Sequence, residues 1–363
     1  MTGLQAILNL GQSIWLDYID RPLLIGGEFE NLLKKGVRGV TSNPSIFEKA
    51  ITGTNRYDSS IERLAKKGLS AEGIYEHLAL DDIARAADLL IPIYEESDGI
   101  DGYVSLEVDP LIAFDSEKTV SEARRLYREL DRPNIYIKVP ATEQGMISIE
   151  ELIGSGVNVN VTLIFSLEQY KRVCMAYIAG IENLIANSGD PSRMSSVASF
   201  FVSRIDSKVD KALADKGIDG LSGQIAISMA KVAYSEYKDA FSSDRWKGLS
   251  SSGARPQRLL WASTSTKNPE YSKTMYVDRL IGPGTVNTLP MQTLELVMRR
   301  KDFSVTIDND VNSAVKNLFR LNESGIDIED ICEHLLDEGV EKFAKSFKSL
   351  IESIDSKIKN SSG

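Results

Sequence analysis

Histidine and cysteine are nearly absent from this chain, with two of each in 363 residues. His77 and His334 alone argue against a histidine-based metal site or catalytic triad. Cys174 and Cys332 offer no disulfide framework, which fits a reducing cytoplasm. No apolar run approaches the roughly 18 residues that span a bilayer. Residues 1–16 lack a basic n-region and run straight into Asp17, so no signal peptide is expected. G-x-G-x-x-G and P-loop signatures are missing, which removes the usual support for a nucleotide-binding sheet. Basic residues are also in deficit: 42 Lys and Arg face 52 Asp and Glu, for a net charge of −10. That balance argues against nucleic acid or an anionic membrane as partner. It leaves room for a small anionic substrate, because a phosphate site needs only local donors.

The chain does have an ordinary globular composition, 42% apolar and 26% charged, and enough length for two average domains or one large α/β barrel. Eight strand-like segments recur: 13–18, 39–43, 102–109, 134–140, 157–165, 196–204, 258–265 and a weaker one near 275–288. Helix-like stretches alternate with them at 27–35, 45–66, 70–96, 116–130, 143–153, 167–187, 204–215 and 221–240. Ser116 before Glu117, and Ser166 with Gln169 three residues on, read as capping signals. Repeated strand–helix alternation implies parallel pairing through right-handed crossovers, and eight strands imply a closed (β/α)8 TIM-type barrel. Residues 242–256 are rich in Ser and Gly and read as a flexible surface loop. From 291 onward the chain reads as extra helices packed on the barrel, with a break at 321–325 and a polar tail at 357–363. Ile328, Ile331, Leu335, Leu336, Val340, Phe343, Phe347 and Leu350 form an apolar stripe at helical spacing, expected to pack on the barrel's exterior. No linker is visible, so residues 1–363 read as one domain.

Side chains alternate along a strand, and this places the chemistry. In the fourth segment Ile135, Ile137 and Val139 share one face, while Tyr136 and Lys138 share the other. Val104, Leu106 and Val108 likewise oppose Ser105, Glu107 and Asp109. Val157, Val159, Val161 and Leu163 oppose Asn158, Asn160 and Thr162. With the apolar faces against helices, the barrel interior collects Asp17, Asn43, Glu107, Lys138, Asn160, Thr162 and Ser199, all towards the carboxyl ends where barrel enzymes build their sites. Each has a plainer role available: Asp17 or Asn43 in a turn, Glu107 with a surface arginine, Lys138 snorkelling at a strand end. Together, so many polar groups on inward faces are costly to bury without a purpose. Lys138 is then either a partly desolvated amine, the form that attacks carbonyls, or the cation of a buried ion pair.

Six blocks carry a resemblance: GVTSNPSIFEKAI at 39–51, SLEVDP at 105–110, YIKVPAT at 136–142, GVNVNVTLIFS at 156–166, ASFFVSRID at 198–206 and LLWASTSTKNP at 259–269. In this order, and over nearly the full length, the chain resembles the transaldolase family in the longer form found in some bacteria. The resemblance implies a class I aldolase-like barrel with its Schiff-base lysine on the fourth strand, which here is Lys138. It implies Asp17 as the base that takes the C4 hydroxyl proton of a ketose phosphate. Glu107 and Thr162 would hold the water that shuttles protons, and Asn43, Asn160 and Ser199 would bind the hydroxyls of the three-carbon unit. Arg204 would hold the phosphate with its planar fork. The implied reaction moves a dihydroxyacetone unit between sedoheptulose 7-phosphate and glyceraldehyde 3-phosphate in the pentose phosphate pathway. The iminium is the electron sink, so no metal or organic cofactor is implied. The expected setting is cytoplasmic, without nucleic-acid or membrane partners, as a monomer or a homodimer.

One position departs from the shorter transaldolases, whose seventh strand ends in a motif with a phosphate-gripping arginine. That position is Ser265 here. Either Lys267 takes the arginine's place, or hydroxyls of Ser263, Thr264 and Thr266 donate instead, alongside Ser265. Two other readings stand beside transfer. Related lyases cleave fructose 6-phosphate without a transfer step, but they carry glutamine at the place of Glu107 and tyrosine at that of Phe201. A non-catalytic sugar-phosphate-binding barrel would have no need of both Lys138 and Asp17.

Overall fold

Eight parallel strands close into one barrel in the computed structural model, which describes residues 2–361. They are β1 (Gln12–Leu16), β2 (Val37–Thr41), β3 (Tyr103–Glu107), β4 (Ile135–Pro140), β5 (Val159–Ile164), β6 (Ser196–Phe201), β7 (Arg258–Ala262) and β8 (Thr285–Leu289). Each strand pairs with its neighbour in sequence, and β8 closes on β1. Helices wrap the outside because most strands run straight into a capped helix start. Asn43, Thr142 and Ser166 each accept a backbone N–H three residues on, the cap expected at Ser166 among them. For the helix Ser116–Leu130, Asp115 is the cap rather than Ser116. The outward residues Ile14, Val104, Ile137 and Val161 are fully buried under those helices.

The inward faces are polar at the carboxyl end and aromatic below it. Trp15 stacks on Tyr136 with centroids 5.9 Å apart, and Tyr136 on Tyr103 at 4.2 Å. At the amino end Arg258 pairs with Asp101 at 3.0 Å, and Ser13 donates to the same carboxylate at 2.8 Å. Gly39 on β2 lies opposite Trp15, and a Cβ there would stand 2.6 Å from the indole ring. The ring is locked in the stack and cannot yield cheaply. Gly39→Ala is therefore expected to lose about 1–3 kcal/mol by overpacking, measurable as a lower urea midpoint with an unchanged slope.

Several boundaries differ from the sequence reading. The weak eighth segment resolves into a short helix, Met275–Arg279, followed by β8 at Thr285–Leu289. The stretch 45–66 is two helices, Pro44–Thr52 and Asp58–Ala65, interrupted at Gly53. The loop expected at 242–256 contains the helix Asp244–Ser250, capped by Ser243 and anchored by the buried Trp246, whose ring meets Phe241 edge-on at 4.8 Å. One buried aromatic outweighs the surrounding serines. The tail at 357–363 is helical as far as Ser361, and residues 362–363 lie outside the described residues.

The largest difference concerns the C-terminal helix, Ile328–Ser361. Its apolar stripe does pack on outer helices, Phe347 meeting Tyr75 of the helix Ala71–Glu96 edge-on at 5.5 Å, but the helix also runs across the carboxyl end of the barrel. Near its start Cys332 donates to the Phe165 carbonyl just past β5. Midway, Phe343 sits over Lys138, and near its end Lys357 donates to the Ile51 carbonyl.

Candidate active site

Lys138 stands at the centre of the barrel mouth because β4 is in register with β3 and β5, opposite Glu107 on one side and Asn160 on the other. Its Nζ donates to Glu107 Oε2 at 3.1 Å and to the Ser42 carbonyl at 2.9 Å. The phenyl face of Phe343 lies 5.9 Å from the same nitrogen. Lysine and glutamate are almost wholly buried, with side chains 6% and 5% exposed. The ion-pair arrangement thus holds for the resting protein.

That pair does not forbid a nucleophile. Burial raises the Glu107 carboxyl above its ordinary range, while the Lys138 charge pulls it back down and Asp17 pushes it up. A carboxyl so raised accepts a proton more readily than a solvated one, and it stands 3.1 Å from the Lys138 nitrogen. Asp17 follows directly on β1 and lines the same cavity. Its carboxyl is raised by burial, with Lys138, Lys267, Arg204 and Lys49 drawing it down. Two raised carboxyls therefore flank one amine, the arrangement suited to proton transfer at a carbon centre.

Asn160 and Ser199 form a relay behind the lysine. Ser199 Oγ donates to Asn160 Oδ1 at 2.7 Å, and Asn160 Nδ2 donates to Ser105 Oγ at 3.0 Å. The Thr162 hydroxyl is buried with no protein partner, facing the cavity beside Lys138. Asn43 spends its Oδ1 on the Ile46 N–H as a helix cap, which leaves its amide nitrogen for a ligand. So the plainer role expected of Asn43 and the functional one coexist.

The cavity measures about 820 Å³, and Asp17, Asn43, Lys138, Thr162, Ser199, Phe201, Arg204, Ser263, Ser265 and Lys267 line it. Glu107 and Asn160 sit one layer beneath, reaching it through Lys138 and Ser199. Arg204 lies with its guanidinium 5.3 Å from the Phe201 ring, and Phe201 in turn meets Phe165 at 5.2 Å. These contacts hold the arginine over the mouth. Lys267 donates to Ser265 Oγ at 3.0 Å, and Ser263 shares a hydrogen bond with Ser203 at 2.9 Å. Thr264 donates to the Thr288 carbonyl and is wholly buried, so its hydroxyl is committed to the barrel. Thr266 does not line the cavity.

Several lining residues escaped the sequence reading: Thr41, Lys49, Lys342, Phe343 and Ser346. Thr41 has the inward parity of β2 and was within reach of the alternation argument. Lys49, Lys342 and Ser346 sit on helices, where periodicity reports which face is buried but not what lies opposite.

Kinship agrees with this geometry. The sequence profile of the family described as Transaldolase/Fructose-6-phosphate aldolase matches residues 14–354. A transaldolase of Trichodesmium erythraeum is 47% identical to the chain, with 97% of each covered. Transaldolases of Thermobifida fusca and Mycolicibacterium smegmatis are 45% and 43% identical, covering 97% and 98% of the chain and 97% of each relative. A lysine paired with one acid and flanked by another, at the mouth of an eight-stranded barrel, is thus no accident of packing: the chain belongs to the transaldolase/fructose-6-phosphate aldolase family.

Proposed function

We propose that the chain is a transaldolase, an enzyme that moves a dihydroxyacetone unit from a ketose phosphate to an aldose phosphate. The observation that carries the reading is the buried Lys138–Glu107 pair, whose lysine shares the cavity floor with Asp17. With its proton passed to Glu107, the Lys138 amine adds to the C2 ketone and gives a carbinolamine, which loses water to become an iminium. Glu107 returns the proton that the leaving hydroxyl needs, and the orphan Thr162 hydroxyl is suited to hold that water. Asp17 then takes the C4 hydroxyl proton as the C3–C4 electrons move into the iminium. An aldose phosphate departs, and the enamine left on Lys138 adds to the aldehyde of a second one while Asp17 gives its proton back. Ser199, oriented from beneath by Asn160, and the Asn43 amide are suited to the hydroxyls of the retained unit, and Arg204, Ser263, Ser265 and Lys267 to the phosphate.

Phe201 supports transfer over simple cleavage. Its ring, wedged between Arg204 and Phe165, carries no hydroxyl to protonate the enamine, so the intermediate persists until an aldehyde arrives. Both cysteines are free and buried, and no helix among the described residues is long and apolar enough to cross a membrane; these features are consistent with work in the cytoplasm. Incubation with fructose 6-phosphate and borohydride should add one reduced three-carbon unit, found by peptide mapping on Lys138. Label on another lysine, or none during turnover, would sink the assignment.

A further inference from the structure

The barrel mouth has a roof, and the roof carries a charge that the reaction as described does not use. Gly339, Lys342, Phe343 and Ser346 recur three and four residues apart, on one face of the C-terminal helix. Gly339 lets that helix approach: a Cβ there would meet Leu163 Cδ2 at 2.9 Å and Arg204 Nη1 at 3.6 Å. Leu163 is held in the left-handed region at φ 60°, where the β5–β6 register shifts, and it packs against this glycine. A turn further on, Phe343 covers Lys138, and Ser346 shares a 2.7 Å hydrogen bond with Ser45. Lys342 is thereby carried to the rim of the cavity, between the point where the helix touches Arg204 and the point where it touches Ser45.

Four cations ring this cavity: Lys49, Arg204, Lys267 and Lys342. Among the described residues none of the four has a carboxylate within ion-pair distance, although Glu48 also lines the cavity and the chain carries ten more acidic than basic residues (52 against 42). The cations also act on one another. The Lys342 ammonium is destabilised by burial, then by the charges of Arg204 and Lys49. Lys267 is lowered by burial first, then by Arg204, Lys342 and Lys49, with Asp17 opposing them. Asp17 on the floor offsets part of this charge for Arg204 and Lys267, but four cations at the rim outnumber it, and such an excess is relieved when an anion sits among them. A phosphate monoester, close to a dianion at neutral pH, has the charge and the acceptors to do so.

We propose that Lys342 is a specificity-determining residue, gripping the substrate's phosphate from the C-terminal helix as a further cation beside Arg204 and Lys267. The inference rests on the sugar-phosphate reading given above, and the test separates the two. Lys342→Gln keeps polarity and most of the reach at an exposed position and removes the charge. Two quantities are measured on the full chain: the inhibition constant of inorganic phosphate, and the ratio of kcat/KM for fructose 6-phosphate to that for unphosphorylated fructose. The phosphate constant should rise, and the ratio fall, by about tenfold, the scale of one charge-assisted hydrogen bond. Lys342→Arg should restore both. Arg204→Ala is the control and should move both further. If Arg204→Ala moves them and Lys342→Gln leaves them within twofold of the parent, phosphate is bound there but Lys342 is a solvated lysine, and the proposal is overturned. If neither variant moves them, the sugar-phosphate reading falls as well.

Discussion

Lys138→Met should leave a folded barrel whose transfer activity is reduced by more than about 10⁴-fold, the scale seen when a covalent nucleophile is removed. Methionine matches the unbranched stem of lysine and fills the space beneath Phe343 without a nucleophilic end. The change strands Glu107, which is buried and keeps no other cation in contact. Breaking a buried pair is destabilising only while a bare charge remains, so Glu107 escapes by binding a proton. This gives the variant a pH signature whose sign follows from linkage. Glu107 is already raised above its ordinary value of 4.5, and loss of the lysine's lowering influence raises it further. The folded state then holds the proton more tightly than the unfolded chain. Stability is accordingly greatest below the ordinary value and is lost as pH rises through the raised one. Thermal unfolding of the variant at pH 5 and pH 8, beside the parent, reads this directly. A variant retaining even about a hundredth of parental turnover would show that Lys138 is not the nucleophile.

Asp17→Asn carries the second large effect. Asparagine is nearly isosteric and keeps the hydrogen-bonding outline, but it cannot take the C4 hydroxyl proton. Turnover should drop by about 10²–10⁴-fold, the usual contribution of a positioned base. Schiff-base formation should persist, because Lys138 and Glu107 remain in contact without Asp17. Borohydride trapping in the variant is therefore expected to label Lys138 with the whole, uncleaved sugar phosphate rather than the three-carbon fragment. Mass spectrometry distinguishes the two adducts. Recovery of the fragment at the parental rate, with a native circular dichroism spectrum, would assign the base elsewhere.

The inward placement of Lys138 and Glu107 was legible in the sequence, and the reason is local. A strand has a period of two, so the apolar residues on either side of Lys138 and Glu107 dictate that both point inward. The same parity brought Thr162 and Ser199 to the interior, and the carboxyl-end rule for barrels did the rest. Parity also reached its limit quickly. It placed Lys138 and Glu107 on one surface but left open whether they pair, because that depends on register between strands. The register opposing Glu107 to Lys138 settles it with a 3.1 Å contact.

The roof of the site lay beyond such reasoning. The stripe from Ile328 to Leu350 specifies a helix with one buried face, and that face is buried as its spacing demands. The spacing is silent on what covers the face, because outer helices and the rim of the mouth both offer apolar contacts to a helix. Only the tertiary fold decides, through Gly339 fitting against Leu163 and Cys332 reaching the end of β5. Lys49 and Lys342 are likewise ordinary solvated lysines in the sequence, and become rim cations because two helices far apart in the chain converge on the same strands. The sequence by itself therefore determined the barrel, the parity of its strands and the floor of the site, all set by interactions of short period along the chain. The tertiary structure alone decided the ion pair at that floor and the charged roof above it, because both depend on distances between segments that no local period encodes.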